Sequence, residues 1–155
     1  GANGSGKSSL IASILGTFDG QQTGTIKTAH GITISYVRQN YEDNCGMLTE
    51  FAQEHGLNYQ DLLNNLKKLG LERAVFQTPI QQMSMGQRKR VELAKSLATP
   101  AELFIWDEPL NYLDVFNQKQ LEEVIHLVEP SMLIIEHDRY FLEQVSTKLL
   151  TLTGD

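Results

Sequence analysis

The sequence predicts an α/β fold, a mainly parallel sheet flanked by helices, from three observations. Two continuous apolar runs, Leu103 to Trp106 and Met132 to Ile135, read as strands buried on both faces. Helical patterns alternate with the strand patterns, as crossover connections in a parallel sheet require. Gly1, Gly6, Lys7 and Ser8 match G-x-x-x-x-G-K-[ST], in which glycines let backbone N–H groups turn inward around phosphate oxygens.

Taken in chain order, Lys7 to Leu15 sets Leu10, Ile11, Ile14 and Leu15 at helical spacing before Gly16. The glycine-rich turn therefore feeds a helix N-terminus, whose dipole favours phosphate. Such a turn normally follows a strand. None precedes Gly1, so residues 1–155 are expected to be one domain and a fragment of a longer chain. Thr25 to Thr28 and Ile32 to Val37 read as short strands around a His30-Gly31 turn, followed by a polar loop from Gln39 to Gly46. Thr49 to Leu71 reads as one helix, with Leu62, Leu63, Leu66 and Leu69 on a shared face and Gly70 as its stop. This helical stretch between Gln39 and Ser84, about residues 46–82, is expected to form a small lobe beside the sheet.

Ser84 can cap a helix running to Ala98 with Val91, Ala94 and Leu97 as its buried stripe. Asp114 caps another, with Leu121, Val124, Ile125 and Val128 inward. A short helix from Asp138 and a strand near Leu149 to Leu152 complete the pattern.

Composition narrows the class. A net charge of −6 argues against broad, non-specific affinity for nucleic acid, which needs a positive field. The basic clusters Lys67, Lys68, Arg73 and Arg88, Lys89, Arg90, Lys95 read as solvated helix faces. No apolar run approaches the ~20 residues of a membrane span. The single cysteine, Cys45, reads as an inert loop thiol and suits a reducing cytoplasm.

The chemistry gathers where strands end. Asp107 and Glu108 close a buried strand, and ligands of open α/β sheets sit at the carboxyl ends of strands. Successive residues point oppositely, so the two carboxylates can divide the work. Asp107 is expected in the Mg²⁺ shell and Glu108 as the general base for an attacking water. Ser84-Met85-Gly86-Gln87 opens a helix and is either a plain cap or a second anion site. Gln39 ends a strand and can bridge Mg²⁺ and water; read alone it is also compatible with a surface amide. His137 follows a buried strand and faces the same cleft, whereas His30, His55 and His126 read as structural.

As an ordered set, Gly1–Ser8, Gln39, Met83–Gln87 (MSMGQ), Asp107–Pro109 (DEP), Leu110–Asp114 (LNYLD) and His137 resemble an ATP-binding cassette ATPase, a phosphate-loop NTPase, over nearly the whole chain. The resemblance implies a phosphate loop of Gly1, Ala2, Asn3, Gly4, Ser5, Gly6, Lys7, Ser8 and Ser9 for ATP. It implies Ser8, Gln39 and Asp107 toward Mg²⁺, and Glu108, His137 and Gln39 in hydrolysis. Ser84, Gly86 and Gln87 would form the signature that meets ATP held by a second cassette, head to tail. Met85 stands where the common LSGGQ has its first glycine.

KRVELAKSL, IWDEPLNYLD and EHDRYFL look like the F subfamily, whose members carry two cassettes and act on ribosomes; LNYLD and MSMGQ resemble its antibiotic-resistance branch. The alternatives are the ATPase subunit of a membrane transporter and a nucleotide-gated binding protein with negligible turnover. On the phosphate-loop reading, Lys7→Ala abolishes ATP hydrolysis in the intact protein, because its charge offsets negative charge growing on the β- and γ-phosphates. Near-normal steady-state turnover would overturn the assignment of the loop.

Overall fold

A computed structural model describes residues 25–27, 31–128, 131–145 and 149–152. The phosphate loop and the helix expected from Lys7 lie outside the described residues. Among the described residues five strands form one sheet: β1 (Thr25–Lys27), β2 (Thr33–Val37), β3 (Leu103–Asp107), β4 (Ser131–Ile135) and β5 (Leu149–Leu152), in that spatial order. β1 pairs antiparallel with β2, and every other pairing is parallel. The expected mainly parallel sheet is present.

β3 and β4 lack polar alternation because both faces of the sheet are covered there. Phe104, Trp106, Val37, Met132 and Ile134 join the large core shared with the helices. Their neighbours Ile105, Ile34, Leu133 and Ile135 build a smaller cluster on the opposite face. Burying both sets explains the continuous apolar runs.

Among the described residues the helices are α1 (Leu48–Glu54), α2 (Tyr59–Lys68), α3 (Met85–Ala98), α4 (Val115–Ile125) and α5 (Arg139–Val145). The single helix expected from Thr49 to Leu71 is therefore two. Gly56 takes φ of 65°, the left-handed conformation that ends a helix, and the Leu57 N–H donates to the Ala52 carbonyl at 2.8 Å. Asn58 then starts α2, its side chain accepting the Asp61 N–H at 2.9 Å. The break lets Phe51 and Ala52 of α1 and Leu62 and Leu66 of α2 bury into the same core. Two 3₁₀ turns, Arg73–Gln77 and Ile80–Gln82, bury Phe76 and Ile80 and deliver the chain to Ser84.

A buried polar chain ties α3 to the sheet. The Trp106 Nε1–H donates to Ser96 Oγ at 2.9 Å, Ser96 Oγ lies 2.6 Å from Ser35 Oγ, and Ser35 Oγ donates to the Ser96 carbonyl at 2.8 Å. Each hydroxyl thus has both a donor and an acceptor role, as buried polar groups require. Because the Asn58 cap makes the helix break possible, Asn58→Ala lowers stability by about 1 kcal/mol. Urea unfolding should show the lower midpoint, with the exposed Gln60→Ala near neutral; an unshifted Asn58→Ala midpoint would contradict the cap.

Candidate functional site

Strand register brings the candidate residues to one edge. Val37 lies opposite Trp106, Trp106 opposite Ile134, and Asp107 opposite Ile135. All three strands run the same way and leave the sheet together, at strand spacings of about 4.8 Å. Gln39, Asp107, Glu108 and His137 consequently occupy adjacent positions at the carboxyl edge. Asp107 is buried at 8% exposure, Glu108 is half-buried, and Gln39 and His137 are exposed.

Glu108 turns the chain out of β3. Its φ is 50°, a left-handed conformation uncommon for a residue with a side chain. Its N–H donates to the Ile135 carbonyl at 2.8 Å, continuing the ladder. The Asn111 amide donates to Glu108 Oε1 at 3.2 Å, so the carboxylate is held from the LNYLD loop. Glu136 supports the same corner. Buried at 6% exposure, it accepts the Leu110 N–H on Oε1 at 3.3 Å and the His137 N–H on Oε2 at 3.0 Å. One carboxylate therefore joins the loop after Glu108 to the segment of His137.

The start of α3 is a capping box. Ser84 Oγ accepts the Gln87 N–H at 3.1 Å, and Gln87 Oε1 accepts the Ser84 N–H at 2.9 Å. In this arrangement the Ser84 hydroxyl oxygen acts as an acceptor, and its own O–H is not used by the capping box. Gly86 lies against the LNYLD loop of the same chain: a Cβ there would stand 2.7 Å from the Tyr112 carbonyl oxygen. Glycine is thus required by an intrachain contact, whatever else approaches the helix start. Around it, Met85, Tyr112, Val115 and Phe116 expose large apolar surface.

Behind Gln39, the turn from Arg38 to Asn44 is bound to α3. Glu92, fully buried on α3, accepts the Arg38 N–H and Nε–H on Oε2, both at 3.1 Å. Oε1 accepts Arg38 Nη2–H at 3.1 Å and the Asn44 amide at 2.9 Å. Burial alone would push the Glu92 carboxyl up; hydrogen bonds from Arg38 and the charges of Lys95 and Arg38 outweigh it and hold it below its usual range. The Lys95 ammonium, 3.5 Å from Glu92 Oε1, is pushed down, because burial outweighs the attraction of Glu92. Arg38 is therefore the principal partner of Glu92.

The basic cluster on α3 departs from expectation. Lys89 and Lys95 are 1% and 2% exposed rather than solvated. Lys89 lies over the Tyr41 ring at 5.4 Å; burial lowers its pKa, opposed by Glu92, Asp107, Glu136 and Glu108. Tyr41 is itself pushed up to about 12, by burial first. His55 behaves as a structural residue, its Nδ1 3.0 Å from the Phe51 carbonyl oxygen. His30, like Gly1–Ser9, lies outside the described residues.

Asn111, Glu136, Glu92 and Arg38 were not anticipated as site supports. Asn111 and Glu136 sit inside or beside the recognised motifs. Glu92 repeats at helical spacing with Lys89 and Lys95, a polar stripe that gives some signal. The donor set fits Mg²⁺, which prefers oxygen ligands and combines one or two carboxylates with substrate phosphates. Asp107 and Gln39 offer such oxygens, and no group of three or more His, Cys, Asp or Glu among the described residues forms an all-protein metal site.

The ABC transporter family profile matches residues 1–111. The chain is 32% identical to the ribosome protection protein VmlR of Bacillus subtilis (strain 168), over 100% of this chain and 28% of the relative. It is 26% identical to ABC transporter F family member 5 of Arabidopsis thaliana, over 97% of this chain and 22% of the relative. A solved complex of an archaeal ribosome recycling factor with an archaeal ribosomal stalk protein matches with TM-score 0.77 and 27% identity, covering 100% of this chain and 31% of that one. The chain spans roughly a quarter of the length of these curated relatives.

The Gly86 contact is testable without nucleotide. Gly86→Ala gains up to about 1 kcal/mol of helix propensity. The clash with a backbone carbonyl costs about 1–3 kcal/mol and wins. Chemical unfolding of the nucleotide-free protein should show a lower midpoint; a raised one would mean that the loop yields freely.

Proposed function

The chain belongs to the ABC transporter family, and from that premise we propose that it binds and hydrolyses ATP as one cassette of a ribosome-acting, cytoplasmic F-subfamily ATPase. The observation that carries the ATPase reading is the shared carboxyl edge, where Gln39, Asp107, Glu108 and His137 stand side by side in the order of their motifs. Asp107 and Gln39 offer oxygens to Mg²⁺, which when bound neutralises charge on the transferred phosphate. Glu108 orients the attacking water and accepts its proton. His137 contacts the γ-phosphate, and Gly1–Ser9 hold the remaining phosphates, with Ser8 toward Mg²⁺.

A second cassette completes the site. Ser84, Gly86 and Gln87 at the start of α3 meet ATP on that partner. The exposed apolar residues Met85, Tyr112, Val115 and Phe116 around them support an interface there. Action on the ribosome is supported by the F-subfamily segments LNYLD and EHDRYFL and by likeness to a ribosome protection protein and a ribosome recycling factor. Ribosome protection against antibiotics is the finer reading, supported by the first of these relatives. No described helix is long and apolar enough to cross a membrane.

Glu108→Gln keeps the shape of the side chain and removes the base. In the intact protein, paired with the matching change in its other cassette, it should bind ATP, stall hydrolysis and co-sediment with ribosomes while inhibiting translation. The acidic net charge implies only a moderate fall in that binding with salt. Sedimentation with membranes, or with neither, would overturn the ribosome reading and leave the ATPase reading standing.

A further inference from the structure

We propose that Glu92 is a positioning residue: it fastens the turn carrying Gln39 to helix α3, so that Gln39 and the Ser84–Gly86 helix start move as one body. The proposal rests on the reading of Gln39 as an ATP-site residue.

The turn is held at both ends by one carboxylate. At its beginning, Glu92 Oε2 accepts the N–H of Arg38, the residue before Gln39, and the Arg38 guanidinium reaches both carboxylate oxygens. At its end, Asn44 donates to Glu92 Oε1 and accepts from Arg38 Nη2 at 2.9 Å, while Asp43 pairs with Arg38 Nη1 at 3.0 Å. The Asn44 N–H closes the turn on the Tyr41 carbonyl at 3.0 Å. Between these anchors Tyr41 is buried beneath Lys89 of α3, while Gln39 and Asn40 stand exposed at the apex. An arrangement that bonds both ends of a turn and buries its middle presents its apex in one orientation.

Stability alone does not account for the carboxylate. Replacing a buried ion pair by well-packed apolar side chains is often neutral or stabilising, because desolvation of the charges offsets their attraction. What apolar side chains cannot supply is the direction of these bonds, in particular the acceptor for the Arg38 backbone N–H. A catalytic amide displaced by about 1 Å loses on the order of 10- to 100-fold in rate.

The test is a double-mutant cycle in the intact protein, with steady-state ATPase and chemical unfolding measured on every variant. Gln39→Ala should lower kcat, and Glu92→Gln should lower it roughly tenfold with KM for ATP within about twofold. The double variant should be no slower than Gln39→Ala alone, although the unfolding midpoint still falls with each change. Arg38→Lys, which keeps the charge and loses the fork, should reproduce the kcat loss with a smaller shift in midpoint, and carries the cycle if Glu92→Gln does not fold. Unchanged kcat in either fastening variant, or losses that multiply with that of Gln39→Ala, would overturn the inference alone. Full kcat in Gln39→Ala would overturn the reading of Gln39 and this inference with it.

Discussion

The parallel register of β2, β3 and β4 is the constraint from which the rest of the site follows. Val37, Trp106 and Ile134 stand in line, and the next residues leave the sheet at the same edge. With side chains alternating between two buried faces, a slip of one residue would exchange the sets facing the two cores and turn Asp107 to the wrong side. Packing therefore fixes the register, and the register fixes which polar residues meet. Gln39, Asp107, Glu108 and His137 are neighbours because Ile34, Ile105 and Leu133 on one face and Phe104, Trp106 and Met132 on the other can be buried only this way.

Helix α3 carries the second consequence. A helix packed on the sheet is expected to turn apolar residues inward, and Val91, Leu93 and Ala94 do so. Lys89, Glu92, Lys95 and Ser96 are buried on it as well. Such charges survive burial only with partners. Glu92 finds Arg38 and Asn44, Lys89 the Tyr41 ring, and Ser96 the Trp106 indole and Ser35. Every one of these partners lies on β2, on β3 or in the turn after β2. The polar face of α3 thus binds the helix to the strands and turn that carry the candidate site.

How much of this was legible depended on distance along the chain. β3 and β4 were readable because burial on both faces leaves an uninterrupted apolar run. α3 and α4 were readable because Ser84 and Asp114 are local caps, each accepting an N–H three residues on. The break at Gly56 was missed because the leucines at positions 62, 63, 66 and 69 show helical period by themselves. Only the turn geometry separates them from Phe51 and Ala52. Motif residues were identifiable within short windows. Their supports were not: Glu92 acts on Arg38 across 54 residues and Glu136 on Leu110 across 26, and no local pattern announces such a contact. Lys89 and Lys95 read as solvated in the sequence for the same reason, since the rings they lie over, Tyr41 and Phe51, come from other elements.

The edge is attached to the same helix at two places, after β2 and after β3. At the first, Glu92 holds the turn of Gln39. At the second, the first turn of α3 touches the LNYLD loop through Gly86 and Tyr112, and Asn111 of that loop holds the Glu108 carboxylate. Glu108 and Tyr112 both occupy left-handed backbone conformations, φ 50° and 68°, so this loop has few alternatives with its ends fixed in place. On the proposed reading, a second cassette pressing on Met85, Tyr112 and Phe116 would load the loop of Glu108 directly. The same displacement would reach Gln39 through α3. On the same reading, a helix anchored in this way reports the arrival of a partner to Glu108 and to Gln39 together, alongside the register of β2 and β3 that already holds them as neighbours.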